Sequence, residues 1–211
     1  MSEDQPWTIG RLLTWTTDFF AERGSESPRL EAEILLAKVR DCSRIELYTS
    51  FAEEVDEAVR GAYRQLVRKR ADGTPVAYLV GKREFYSLEF HVTPDVLIPR
   101  PETEMVVVAI LDLVKQHPVA ERTVEVADLG TGSGVLAVCV AKHLSHAQVA
   151  AIDVSEAALE IAQHNARQHN VLDRIEFLHS DLFAAVPTDK NFTTFLVTLL
   201  TCRPQKWPSC R

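Results

Sequence analysis

No stretch of this sequence is apolar over enough residues to cross a bilayer, so no membrane-spanning helix and no membrane partner are expected. The opening residues are acidic and polar, which is not the basic-then-apolar pattern of a secretory leader. Cysteine is scarce: Cys42, Cys139, Cys202 and Cys210 form no Cys-x-x-Cys pair and show no metal-ligand spacing. Unpaired thiols suit a reducing compartment, and a cytoplasmic location is expected. Cys139 lies in an apolar run and reads as a small buried hydrophobe. His164 and His169 do not share a helix face and no nearby acid completes a zinc site, so no metal is expected. Positive charge is also short. A formal net charge of -7 leaves no broad basic face for salt-driven binding to a nucleic-acid backbone. The local run Arg64, Arg68, Lys69 and Arg70 reads as a solvated helix face. There is no Gly-x-Ser-x-Gly elbow, no Cys-centred nucleophile signature, no long repeat and no low-complexity tract.

What is present is a globular composition, 46% hydrophobic and 25% charged, on a chain of 211 residues that falls between one and two domains. Residues 1–75 read as a small helical bundle. Leu12, Leu13, Trp15, Phe19 and Phe20 make one stripe at helical spacing, Leu30, Ile34, Leu35, Ala37 and Val39 a second, and Val59, Tyr63, Leu66 and Val67 a third. The period then shortens. Tyr86, Leu88, Phe90 and Val92 alternate with polar residues, which predicts a strand; Thr93-Pro94-Asp95 predicts a turn, and Val96-Leu97-Ile98 a second strand closing a hairpin. Pro99-Arg100-Pro101-Glu102 opens a helix, with Glu102 and Glu104 at its positive end.

From about residue 123 strands and helices alternate: strands over 124–129, 148–152 and 175–178, helices over 135–144 and 155–168. Such alternation predicts an α/β doubly wound unit with a parallel sheet. Its strongest signal is Asp128-Leu129-Gly130-Thr131-Gly132-Ser133-Gly134, at the end of the first of these strands. Glycines recur where the backbone turns sharply and a ligand lies against it. A dinucleotide fingerprint would place its third glycine at position 135, which is Val135, so a nucleotide-dependent oxidoreductase is disfavoured. Asp153 ends the next strand, where an acid can accept both hydroxyls of a ribose; it could instead cap the helix that starts near Ser155. Asp181 and Leu182 follow the third strand, where Asp181 is also readable as an ordinary loop residue.

The Gly-x-Gly-x-Gly form preceded by an acid resembles the first motif of class I S-adenosylmethionine methyltransferases. The runs Gly81-Lys82-Arg83-Glu84-Phe85-Tyr86 and Ile98-Pro99-Arg100-Pro101-Glu102-Thr103-Glu104 are more specific: they resemble the signature of the release-factor N5-glutamine methyltransferases. The resemblance covers most of residues 1–185. It implies a class I Rossmann-like sheet, here incomplete, preceded by a helical bundle (1–75) that docks a peptide chain release factor and a linker with a hairpin (76–100). It implies S-adenosyl-L-methionine as cofactor, held in the partial methyltransferase domain (101–190) by Asp128, Gly130, Thr131, Gly132, Ser133, Gly134 and Asp153, with Asp181 near the adenine amino group and Leu182 flanking the ring.

In that family a fourth strand ends in Asn-Pro-Pro-Tyr, whose oxygens accept both amide hydrogens of the substrate glutamine and set its nitrogen in line with the methyl group. That tetrapeptide does not occur in this sequence. Residues 191–211 contain no Asp, Glu or Gly and hold two of the four cysteines, so an aberrant tail is expected there, from a frameshift, an alternative end or a sequence error. Residues 192–200 could still supply a fourth strand at a sheet edge. The readings at this stage are a glutamine methyltransferase with impaired turnover and no catalytic residues of its own, a non-catalytic remnant that binds cofactor or release factor, and a nucleic-acid amino methyltransferase.

Overall fold

The computed structural model describes residues 6–116, 123–186, 192 and 194–197, in two compact units, Met1–Gly81 and Lys82–Arg211. Cys202, Cys210 and most of the expected aberrant tail lie outside the described residues, as do residues 1–5 and 198–200.

The first unit holds α1 (Ile9–Ala21), α2 (Pro28–Arg40), α3 (Arg44–Thr49), α4 (Glu57–Ala71) and α5 (Val76–Val80). Each of the helix starts at α1, α3 and α4 has a side-chain cap. Thr8 accepts from Arg11 N–H, Asp56 accepts from Val59 N–H, and Ser43 and Glu46 form a reciprocal capping box. The stripes seen in the sequence converge on one core of Ile9, Leu13, Phe20, Leu35, Leu36, Leu47 and Tyr63, all nearly or fully buried. Two helices more than the three stripes are present. Helix α3 buries only Leu47 while Ile45 and Tyr48 stay exposed, so no apolar period marks it; Ser43-x-x-Glu46 was its readable signal. Helix α5 is shorter than two turns.

Among the described residues of this unit one carboxylate is buried. Glu33 is 2% exposed and accepts from Arg29 Nε at 2.7 Å, from Arg44 Nη2 at 2.8 Å and from the Tyr48 hydroxyl. Burial opposes its ionisation, but those hydrogen bonds outweigh it and hold the carboxyl below the usual range. The basic run on α4 is partly paired: Arg70 makes two 2.9 Å bonds to Glu31.

The second unit begins with a hairpin of β1 (Lys82–Phe85) and β2 (Leu88–His91), antiparallel, with Phe85 opposite Leu88. Its turn is Tyr86-Ser87, both at positive φ (50° and 58°), as a two-residue hairpin turn of matching twist requires. This corrects the sequence reading at two points. Tyr86 is a turn residue rather than part of a strand, and its N–H donates to the Glu104 carboxylate at 3.0 Å. Residues 96–98 are not a strand, although the turn at Thr93–Asp95 exists, with Val96 N–H bonded back to the Thr93 carbonyl. The free edge of β2 is unavailable for another strand because side chains of a later helix already bond it. The Glu89 carbonyl meets Gln168 Nε2 and His169 Nε2 at 2.9 and 2.8 Å, and His91 meets Asn165.

A short 3-10 turn, Pro101–Thr103, leads into α6 (Glu104–Gln116). Then come β3 (Val124–Leu129), α7 (Val135–His143), β4 (Ala147–Asp153), α8 (Glu156–Gln168), β5 (Ile175–His179) and β6 (Thr194–Val197). The sheet is parallel in the order β5-β4-β3-β6, so among the described residues the fourth strand is terminal in the sheet. Strand residues divide by period two. Val124, Val126, Val149 and Ala151 join the core with α7, α6 and the phenylalanines of the hairpin, while Ala127, Leu129, Ala150 and Ile152 line the other face. Residues 135–141 of α7 are all buried, including Cys139, whose thiol burial pushes up to about 12.

Leu13→Ala should destabilise the protein by about 2–5 kcal/mol, because Leu13 has no exposed surface and the hole cannot fill with water. Glu33→Ala should cost less, roughly 1–3 kcal/mol, since Arg29 and Arg44 are 36% and 51% exposed and can rehydrate. Urea unfolding of both variants checks the order; a larger loss in Glu33→Ala contradicts it.

Candidate functional site

The glycine-rich turn sits at the C-terminal end of β3, directly before α7. It is folded mainly by its own backbone and by carboxylates. Gly130 and Thr131 both donate their N–H groups to the Ile152 carbonyl on β4, at 2.8 and 3.0 Å, so the turn leans over the neighbouring strand end. Gly134 N–H closes back onto the Thr131 carbonyl at 2.8 Å. The three glycines have φ of 73°, 54° and 78°, the left-handed region that side chains resist. Gly132 and Gly134 differ in what a side chain would meet. A Cβ on Gly134 would lie 2.9 Å from Ala162 Cβ and 3.1 Å from its Cα, inside the packing of α7 on α8. One on Gly132 would find only the Gly130 carbonyl, at 3.9 Å. Position 134 is therefore closed by the protein itself, and position 132 is open.

Two acids hold the turn from opposite directions. Asp128 lies beneath it, 1% exposed; its Oδ2 accepts from the Thr131 hydroxyl at 2.7 Å and from Ala137 N–H at 3.2 Å. Its other oxygen has no partner among the described residues. Burial, with a smaller contribution from the negative charge of Asp153, raises its pKa to about 6 against those two bonds. Asp153 ends β4 and is partly exposed. One of its oxygens accepts from Gly132 N–H at 2.9 Å and the other from Ser155 N–H at 3.0 Å. The cap of α8 is Ser155, which accepts from Ala158 N–H, so Asp153 does not cap that helix itself.

The sequence-derived site residues thus fall into three groups. Gly130, Gly132 and Asp153 meet at the strand ends. Asp128, Thr131 and Ser133 have buried side chains, and Gly134 is packed on α8. Asp181 and Leu182 are exposed in the loop after β5, with Leu182 at φ 49°. The link from that loop is Ser180, buried, whose N–H donates to the Asp153 carbonyl at 3.0 Å. Sequence reasoning passed over Ser180 and also Asn165, a fully buried amide on α8. Asn165 was findable: it is the polar member of the otherwise apolar stripe Ala158, Ile161, Ala162 and Ala166. Among the described residues no group of three or more His, Cys, Asp or Glu could hold a metal ion, and no helix is long and apolar enough to cross a membrane.

The same two segments match known sequence families. Residues 11–81 match the PrmC N-terminal domain, and residues 109–197 the methyltransferase small domain. A release factor glutamine methyltransferase of Rhodopirellula baltica is 52% identical over 191 residues, spanning 90% of this chain and 64% of the relative. Over most of its length this chain is similar to release factor glutamine methyltransferases. Another, from Moorella thermoacetica, is 44% identical over 177 residues, spanning 84% of this chain and 61% of the relative. The chain thus spans a little under two thirds of the length of these relatives. Among solved structures, an RNA methyltransferase from Salinibacter ruber, in complex with S-adenosyl-L-homocysteine, is similar at 30% identity. That match covers 42% of this chain and 53% of the other, with a TM-score of 0.35.

Two predictions arise from the turn. Gly134→Ala should cost about 3 kcal/mol or more, from strain at positive φ plus the collision with α8, while Gly132→Ala should cost only about 1 kcal/mol in unliganded protein; equal losses in thermal unfolding would refute the distinction. The folded protein also holds the Asp128 proton more tightly than the unfolded chain does, so this contribution is full below pH 3.8 and is lost as pH rises through about 6. Between pH 4 and 7 the native protein should lose up to roughly 3 kcal/mol relative to Asp128→Asn, measured by urea unfolding at both pH values; parallel stabilities would refute it.

Proposed function

We propose that the crevice at the ends of β3 and β4 binds S-adenosyl-L-methionine, and that the chain derives from enzymes that methylate a glutamine side-chain amide of peptide chain release factors. The observation that carries the cofactor reading is the Asp153 carboxylate, bonded to Gly132 N–H at 2.9 Å over a turn that no side chain fills. Each carboxylate oxygen accepts one backbone N–H, and a carboxylate has about four acceptor sites, so capacity remains for two ribose hydroxyls. The N–H groups of Gly130, Thr131, Gly132 and Gly134 are all bonded to protein oxygens. A pyrophosphate would have to displace those bonds; a donor without phosphate would not, which favours it over a dinucleotide. Open space at Gly132 and the acid beside it fit a nucleoside.

When bound, the cofactor supplies an electrophilic methyl group on a positively charged sulfur. The residues of this chain bind and orient it: Asp153 through the ribose, Gly130 and Gly132 by letting the backbone approach, and Asp181 and Leu182 around the adenine. Asp128, Thr131 and Ser133 keep the turn in shape from below. Amide chemistry requires a further element, because the amide lone pair is delocalised and the nitrogen must be set in line with the methyl group. In the resembling family Asn-Pro-Pro-Tyr does this, and no such tetrapeptide occurs in these residues. The proposed behaviour is therefore cofactor binding with impaired transfer, in the cytoplasm, with the helical unit as the docking side for the release factor.

Calorimetry tests the first part. S-adenosyl-L-homocysteine should bind and NAD should not, and Asp153→Ala should weaken the former by roughly 30-fold or more, the loss expected for charge-assisted bonds to a ligand. Binding of NAD, or an affinity unchanged in Asp153→Ala, overturns it. Radiolabelled methyl transfer to a release factor should be very low, and turnover comparable to that of a full-length relative would overturn the impairment.

A further inference from the structure

The hairpin and the glycine-rich turn share one buried residue. Asn165 has no exposed surface, and its side-chain amide makes three bonds. Its Oδ1 accepts from His91 N–H at 2.7 Å, and its Nδ2 donates to the His91 carbonyl at 3.0 Å and to the Ser133 carbonyl at 2.8 Å. Both amide hydrogens are thereby used. The bond to Ser133 bears on the shape of the turn. The peptide between Ser133 and Gly134 is held at its carbonyl by Asn165 and at its N–H by the Thr131 carbonyl, 2.8 Å away. A planar peptide fixed at both ends resists rotation. Gly132, one residue earlier, is the position left open above the turn. The other polar contacts of α8 with the hairpin are different in kind: Gln168 and His169 reach only the Glu89 carbonyl and no part of the turn.

We propose that Asn165 is a positioning residue of this crevice: it locks the Ser133–Gly134 peptide, keeps the turn in its ligand-receiving shape, and couples that shape to the end of the hairpin. The identity of the ligand rests on the S-adenosyl reading above; the locking of the peptide does not. Asn165→Asp retains an acceptor for His91 N–H but replaces the donor with an oxygen facing the carbonyls of His91 and Ser133, so the turn meets repulsion where it had a bond. Asn165→Ala leaves all three backbone groups without that partner. Gln168→Ala removes a hairpin contact and leaves the turn untouched, so it serves as the structural control.

Two readouts on the full chain decide the matter, both at a temperature where circular dichroism shows every variant folded. The first is calorimetric affinity for S-adenosyl-L-homocysteine; the second is amide hydrogen exchange at residues 132–134 without ligand. Both Asn165 variants should bind about tenfold or more weakly, as loss of one well-placed buried bond implies, and should exchange faster at 132–134. Gln168→Ala should match the wild type in both. Wild-type affinity in Asn165→Asp, unchanged exchange at the turn, or equal effects in Gln168→Ala would each overturn the proposal. If the wild-type chain itself does not bind the nucleoside, the cofactor reading fails and exchange alone decides. Faster exchange confined to the Asn165 variants then supports the lock, and no difference refutes it.

Discussion

Where the glycine-rich turn runs into α7, the residue just before the helix has to come within van der Waals reach of α8, and the α/β unit depends on that approach. Gly134 can do this because it lacks a Cβ: one placed there would stand 2.9 Å from Ala162. With the approach made, a helix whose residues 135–141 are all buried can lie against the sheet, with α6 and the hairpin phenylalanines in the same core. Gly134 also has a left-handed φ, as do Gly130 and Gly132 earlier in the turn. A side chain at position 134 would therefore meet both backbone strain and the collision with α8.

Around that contact the protein uses buried and half-buried polar groups as fasteners, bonded mainly to backbone rather than to another charge. Asp128 holds the turn from below, Asp153 from the side, Asn165 at the Ser133 carbonyl, and Ser180 fastens the loop after β5 to Asp153. Burying such groups is unfavourable unless their partners are in place, so a partly formed arrangement gains little over a disordered one. Asp128 is the exception that is not fully satisfied, and its raised pKa is the direct consequence. Glu33 in the helical unit shows the opposite outcome at similar burial, because two guanidinium groups and a phenol surround it.

Long periodic elements were legible from the chain alone because their signals are local. The strand over 124–129, the helices near 135–144 and 155–168, and the strand over 175–178 recur in the structure within a residue or two. Short elements were not. Helix α3 exposes most of its apolar residues, and the strand expected at 96–98 did not form, since the open edge of β2 is bonded by α8 side chains. That competition is set by residues some seventy or more positions apart, beyond any local pattern. The hairpin itself was displaced by a few residues because Tyr86 and Ser87 accept positive φ without glycine, giving no turn signal in the composition.

The sequence by itself determined the class of the fold, the place of the glycine-rich turn and the acid one strand further on, because periodicity, glycine and chain order are written locally. It also carried, in two short runs, the resemblance to the release factor glutamine methyltransferases, and relatives of that name are similar over most of this chain. Only the tertiary structure decided which of the motif's residues face the crevice and which lie beneath it. Gly132 and Gly134 are the same residue type two positions apart, yet one borders open space and the other a helix. Side-chain roles of that kind depend on what packs behind each atom, and that is fixed only when distant segments meet.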